Sequence, residues 1–210
     1  LFFAGDDVPR LRYRVLVGGE GRHQAQVYEQ EPPGTVHDPL LTLLNARWLA
    51  LEAVPRGELV RVVVVSQYAE IEALAAEYGF LAVHNGDPGA GLSHTVALGL
   101  AALADCDAVL FQVADQPLLR RESVGRLIAL WREHPEKIAA VSGGGRRGNP
   151  CLFPARFFPE LLALTGDCGG SRVIRQHEDE LMLLEVDARE LADVDTPQAL
   201  AEVEREMRQI

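Results

Sequence analysis

Residues 59–67, LVRVVVVSQ, form a near-continuous run of β-branched side chains. A strand of this composition has no polar face, so it belongs in a sheet covered on both sides. The stretches around it share one rhythm: a short apolar run, a loop, then a helical period. Strands are expected at 13–19, 80–85, 107–114, 137–142, 151–154 and 181–186. Helices are expected at 39–53, 68–79, 92–104, 120–134, 155–166, 170–178 and 196–210, the last with Thr196 as N-cap and Pro197 in its first turn. This alternation implies a three-layer α/β/α sandwich, Rossmann-like, around a mostly parallel sheet with right-handed crossovers. A single domain over 13–210 is expected, preceded by an N-terminal extension at 1–12.

Composition narrows the function classes. Hydrophobic residues make up 48% of the 210, ample for a buried core. The net charge is −11, and Lys137 is the only lysine. A basic footprint for nucleic acid or anionic lipid is missing, so any anion site must use arginine, histidine or backbone N–H groups. No apolar run reaches the roughly 18–20 residues of a membrane span. LFFAGDD at the start has neither the basic nor the long apolar region of a secretory signal. Because Leu1 is not a methionine, a few upstream residues are expected. Cys106, Cys151 and Cys168 have no CxxC spacing and read as reduced thiols of a cytoplasmic protein.

Ligands of such sheets bind beyond the carboxyl ends of the strands, which singles out five loops. VLVGGEGRHQAQ (15–26) follows the first strand, and its glycines could let backbone approach a phosphate. It satisfies neither GxGxxG nor GxxxxGK[ST], and an ordinary turn competes with that reading. FQVADQPLL (111–119) ends a buried strand in Asp115, placed to hold Mg²⁺ or simply to cap a turn. SGGGRRGNPCLF (142–153) reads as a glycine-rich basic loop in which Arg146 and Arg147 could grip a phosphate, or as a solvated hairpin. LTGDCGGSRVI (164–174) puts glycines and an acid before a helix that could receive an anion, or is a plain connection. In LADVDTPQAL (191–200), Asp193 and Asp195 alternate on an extended segment and point the same way, toward a metal or the following helix N-terminus.

As an ordered set, these segments resemble the MobA-like nucleotidyltransferases, and among them the molybdenum cofactor cytidylyltransferases. The resemblance rests on NGDPGAGLSHTVALGL (85–100), DAVLFQVADQPLL (107–119), GRRGNPCLFP (145–154), LLALTGDCGGSRVI (161–174) and DVDTPQAL (193–200). It covers the chain from about residue 13 onward and implies the nucleotide-diphospho-sugar transferase type of fold. It also implies a Mg²⁺-dependent enzyme transferring CMP, less readily GMP, from CTP or GTP to a molybdopterin-type acceptor, with a molybdenum hydroxylase as the downstream partner. Under that resemblance Asp115, Asp193 and Asp195 hold the metal, and Asp115, Asp195, Arg22 and His23 form the catalytic set. Gly18, Gly19, Asn85, Gly91 and Ser93 face the nucleotide. Gln116, Pro117, Arg147, Asn149, Asp167 and Gly170 face the acceptor.

The opening loop departs from the family pattern L-A-A-G-x-S-x-R-M-G-x-x-K. Gly21 stands for the serine, His23 for the arginine, Gln24 for the methionine, Ala25 for the glycine, and Tyr28 lies near the place of the lysine. Those cations normally neutralise the triphosphate and departing pyrophosphate, and losing one such contact typically costs about 2.7–4 kcal/mol. Arg22, His23 or Arg146 and Arg147 are the candidates for compensation. The departure leaves two further readings open: a non-catalytic carrier of nucleotide or molybdopterin, and a nicotinamide-dependent oxidoreductase on the same scaffold. The missing GxGxxG weighs against the oxidoreductase.

Overall fold

The structure is a computed structural model. It describes residues 61–194 and 202–203, together with the backbone of 13–18. The expected helix at 39–53, the loop positions Gly19, Arg22 and His23, Asp195, and all but two residues of the expected closing helix lie outside the described residues.

Among the described residues, seven strands form one sheet: β1 (Tyr13–Gly18), β2 (Arg61–Ser66), β3 (Leu81–His84), β4 (Ala108–Val113), β5 (Ile138–Gly143), β6 (Arg146–Pro154) and β7 (Leu181–Glu185). Their spatial order is β3-β2-β1-β4-β6-β5-β7. All neighbours pair in parallel except β6, which runs antiparallel to both β4 and β5. The carboxyl ends of β1 to β5 and β7 therefore share one edge, and the amino end of β6 joins them there. Gly18 lies level with Val65 and Val113 on that edge.

The β-branched run behaves as its composition demands. Val62 to Val65 of β2 are at most 7% exposed. Helix α1 (Ala69–Glu77) packs on β2 and β3, and α2 (Leu92–Ala101) packs on β1 and β2. Helix α3 (Arg121–Glu133) buries Val124, Leu127, Ile128 and Trp131, the i, i+3, i+4, i+7 stripe of an amphipathic helix, against β5, β6 and β7. Trp131 Nε1 donates to the Lys137 carbonyl at 2.9 Å, which fixes the turn from α3 into β5. Two short helices, α4 (Phe158–Leu162) and α5 (Gly170–Gln176), follow β6. Among the described residues, no helix is long and apolar enough to cross a membrane.

One open reading is decided and one expected element takes another form. The loop at 142–150 is a tight hairpin: β5 turns through Gly144 and Gly145, both at positive φ, straight into β6. Arg146 and Arg147 thus pair with Gly143 and Ser142 inside the ladder. Two glycines free to adopt positive φ make so short a reversal possible, and it extends the strand expected at 151–154 back to Arg146. The helix expected at 155–166 is shorter, a 3₁₀ turn at Ala155–Phe157 followed by one helical turn, and it stops before Gly166 at φ 62°.

Candidate active site at the carboxyl edge of the sheet

Strand β4 ends at Val113, and the chain leaves the sheet through Ala114 into Asp115, Gln116 and Pro117. Asp115 is half-buried, whereas Gln116 is 4% exposed. The segment from Ala188 to Val194 lies against this strand end, held at four points. Val194 N–H donates to the Asp115 carbonyl at 2.8 Å. Gln116 Nε2 donates to Asp193 Oδ1 at 2.9 Å and, more weakly, to the Leu191 carbonyl at 3.5 Å. Arg120 N–H donates to Glu190 Oε2 at 3.0 Å, and Glu190 is itself only 4% exposed. Two acidic segments far apart in sequence are thereby pinned side by side, and Asp195 is the next residue of the chain after Val194.

The donor set suits a hard divalent cation. Mg²⁺ takes oxygen ligands, needs only one or two carboxylates, and keeps several waters. Among the described residues, no group of three or more His, Cys, Asp or Glu side chains converges, so a soft or all-protein cage does not form there. Gln116 Oε1 is buried without a protein hydrogen-bond partner, the kind of orphaned acceptor that a water or hydrated ion satisfies.

Beside this corner lies a cavity of about 360 Å³ between α2, the strands β4 and β6, and α5. Phe111 and Cys151 are register partners across β4 and β6, so their side chains share the face that forms its floor, with Phe153 beside them. Phe111 and Phe153 meet edge to face, ring centroids 5.6 Å apart. The rim is polar: Asn149, Asp167, Cys168, Ser171, Arg172 and Arg175. The Asn149–Pro150 peptide bond is cis. Such a space, apolar at the bottom with arginines at the mouth, suits a flat, partly apolar molecule carrying an anionic group.

The Gly-Asp loop before α5 also builds the wall toward α2. Ser93 N–H donates to the Gly166 carbonyl at 3.0 Å, and Leu92 N–H to Asp167 Oδ1 at 3.4 Å. Gly91 has φ 90°, and a Cβ there would lie 2.6 Å from the Gly166 backbone. Only glycine permits that approach.

The residues expected at the site divide accordingly. Asp115, Gln116 and Asp193 meet at the acid corner, with Pro117 buried behind them. Asn149, Asp167 and Gly170 line the cavity, while Gln116, Pro117 and Arg147 stand outside its lining. Asn85 is 3% exposed and spends its amide within the protein: Nδ2 donates to Thr95 Oγ1 at 3.1 Å, and Oδ1 accepts from Asp87 N–H at 3.1 Å. It frames the Asn85–Thr95 segment. Gly18 ends β1 on the same edge. Sequence reasoning missed Arg172, Arg175 and Cys168 at the cavity mouth, and Glu190 behind the acid corner. The signal for the arginines was their i, i+3 spacing on the helix after the Gly-Asp loop. Glu190 gave no local signal.

The cysteines differ in setting. Cys151 is buried, its thiol donates to the Gly148 carbonyl at 3.2 Å, and burial pushes its pKa up to about 12 against a weaker lowering by Arg147. Cys168 is half-buried at the rim, its sulfur 3.5 Å from an Arg172 guanidinium nitrogen.

Known structures share this fold. The chain matches the Mycobacterium sp. strain JC1 homologue of Mycobacterium tuberculosis Rv0371c with a TM-score of 0.69 at 21% identity, covering 95% of this chain and 98% of that one. It matches CMP:2-keto-3-deoxy-manno-octonic acid synthetase, solved with CTP, with a TM-score of 0.64 at 14% identity, covering 94% and 99%. At such identities the shared property is the fold, that of the nucleotide-diphospho-sugar transferase type. The model of the MobA-like NTP transferase domain matches residues 15–181, and the chain belongs to that family. A curated relative, the purine catabolism protein PucB of Bacillus subtilis (strain 168), is 32% identical over 121 residues, or 56% of this chain. The match spans 58% of that relative's length.

Proposed function

We propose that the chain is a nucleotidyltransferase that moves a nucleoside monophosphate, CMP rather than GMP, from its triphosphate to a phosphorylated acceptor of the molybdopterin type. The observation that carries the reading is the hydrogen bond from Val194 to the Asp115 carbonyl, which sets the D-V-D segment beside the acid that ends β4. Family membership and the cavity next to this corner support it.

In the reaction, an acceptor phosphate oxygen attacks the α-phosphorus of the NTP. A new P–O–P bridge forms, the α–β bridging P–O bond breaks, and its electron pair leaves with pyrophosphate. Asp115 and Asp195 would hold Mg²⁺, which neutralises charge on the phosphates when bound. The chain's own contribution is positioning. The cavity takes the flat body of the acceptor over Phe111 and Phe153, and Arg172 and Arg175 orient its anionic group. Gly18 ends β1 where backbone can pass beneath the nucleotide phosphates, and Arg22, His23 and Arg147 would supply the positive charge that the opening loop otherwise lacks.

Pyrophosphate release from CTP and from GTP, with a phosphorylated pterin as acceptor, tests the proposal. Release with CTP that disappears in Asp115→Ala is the expected result, and equal turnover by the wild type and that variant sinks it. The absence of lysine and arginine at their usual loop positions favours one second reading, a carrier that binds the acceptor without transferring a nucleotide. Calorimetry separates the two: the carrier binds pterin tightly and shows no metal-dependent CTP binding.

A further inference from the structure

We infer that Leu191 is a positioning residue of the site. Its side chain sits in a slot made by two glycines of the β5–β6 hairpin, and through it the hairpin and the acid corner keep a fixed separation. The role in catalysis rests on the function proposed above, whereas the coupling itself is geometric.

The stretch SGGGRRGNP (142–150) holds four glycines with two different tasks. Gly144 and Gly145 take positive φ and make the turn. Gly143, which ends β5, and Gly148, the third residue of β6, do not. At these two the missing side chain makes room. A Cβ at Gly148 would lie 2.9 Å from Leu191 Cδ1, 3.3 Å from Cδ2 and 3.4 Å from Cγ. A Cβ at Gly143 would lie 3.1 Å from the same Cδ1 and 2.9 Å from Ala188 Cα. Leu191 therefore lies against both strands of the hairpin, and a larger residue at either position would displace it.

The segment that carries Leu191 is fastened to the acid corner. On either side of it, Glu190 Oε2 accepts from Arg120 N–H at 3.0 Å, and Asp193 Oδ1 accepts from Gln116 Nε2 at 2.9 Å. Val194 N–H donates to the Asp115 carbonyl at 2.8 Å. The hairpin has its own fastening: Ser142 Oγ donates to Glu185 Oε2 at 2.5 Å, and Val186 N–H donates to the Ser142 carbonyl at 2.8 Å. Leu191 bridges these two sets of bonds. Next to Gly148 the hairpin carries Arg147 on one side and Asn149, a cavity-lining residue, on the other. Leu191 is outside the cavity lining, so it acts by setting the separation between the acids and these residues. That separation matters because reacting atoms must come within about 3–3.5 Å, and a misplacement of about 1 Å costs roughly 10²-fold in rate.

Gly148→Ala and Leu191→Ala, singly and together in the full chain, test the coupling. The atoms nearest the new methyl of Gly148→Ala belong to a flexible side chain, so this variant should unfold within a few degrees of the wild type. Amide hydrogen exchange, followed by NMR, needs no substrate. The buried Val186 and Val194 amides bond to Ser142 and Asp115 rather than to Leu191, and in Leu191→Ala both should exchange about 10-fold faster. Faster exchange at only one of them, or at neither, overturns the inference. An equal rise at Val63 and Val64 in the centre of β2 would mean general destabilisation and overturns it as well. In turnover with CTP and a phosphorylated pterin, Gly148→Ala should lower kcat about 10-fold and leave the KM for CTP within about twofold. Adding Leu191→Ala makes room for the methyl and should recover part of that loss. A double variant no faster than Gly148→Ala overturns the positioning role. A wild type without turnover refutes the function proposed above instead, and the exchange result then still decides the coupling.

Discussion

The Val194 amide donates to the Asp115 carbonyl oxygen at 2.8 Å, joining the end of β4 to a segment near the carboxyl end of the chain. Because this bond uses backbone at both ends, replacing the Asp115 side chain leaves the junction intact. Asp115→Asn should therefore lower pyrophosphate release about 10²–10³-fold, the scale of losing one preorganised electrostatic contact in phosphoryl transfer. Its unfolding midpoint should move by only a few degrees. Turnover with CTP and acceptor, read alongside thermal unfolding, checks both halves. A variant with full activity would make Asp115 a turn residue.

Gly91 and Gly145 provide a matched pair for stability. Both have positive φ, 90° and 78°, but a Cβ at Gly91 meets Gly166 backbone at 2.6 Å, while nothing lies within 4 Å of one at Gly145. Gly145→Ala carries only the conformational cost, about 1 kcal/mol. Gly91→Ala adds a backbone clash and should cost about 3 kcal/mol or more. It should also displace the Ser93–Gly166 hydrogen bond and so disturb the cavity wall. Urea unfolding of both variants gives the comparison, and equal losses would contradict the close approach.

His177 makes stability depend on pH in a definite direction. A hydrogen bond to Glu160, 2.8 Å from Nε2, raises its pKa above the usual 6.5 against an opposing effect of burial, and the charges of Glu160 and Glu180 add to the rise. A group whose pKa is raised on folding contributes stability that is fully present below the unfolded value and is lost as pH climbs through the folded value. Stability should therefore decline as pH rises from about 6.5 through that higher value. Glu160→Gln should flatten the decline. Denaturant midpoints measured from pH 5.5 to 8.5 show whether it does, and an unaltered slope in the variant would assign the decline to other groups.

Thiol chemistry should discriminate among the cysteines. Cys106 and Cys151 are 4% and 6% exposed, and burial holds the Cys151 thiol neutral with a pKa of about 12. Only Cys168 reaches the cavity rim with partial exposure. Iodoacetamide at pH 8 is expected to modify Cys168 first, leaving the other two until the protein unfolds. A phosphorylated pterin seated in the cavity should slow that modification. Peptide mapping by mass spectrometry checks the order, and early labelling of Cys151 would contradict its burial.

Much of the fold was legible in the sequence because periodicity and burial are local. The run at 59–67 reads as a strand covered on both faces, and Val62 to Val65 bear this out. The stripe of α3 is equally plain, and Pro135 marks its end. The hairpin at Gly144–Gly145 was harder. Arginine and glycine in quick succession leave a basic loop and a hairpin both open, and pairing with Ser142 and Gly143 decides for the hairpin. Asn85 shows the limit for the site. Its motif suggests a nucleotide contact, and the structure adds two contacts the motif does not announce, Nδ2 to Thr95 and Oδ1 from Asp87, because they depend on packing.

The alternation of strands and helices and the family could be read from residue order alone, since each rests on side chains close together in the chain. Which loops meet is a property of the folded chain alone. Gln116 reaches Asp193 across 77 residues, and Leu92 reaches Asp167 across 75. Those meetings follow from the order β3-β2-β1-β4-β6-β5-β7, with β6 inserted antiparallel between β4 and β5. Local periodicity says where a strand lies but not which strand becomes its neighbour, because that choice depends on how all the buried faces pack at once.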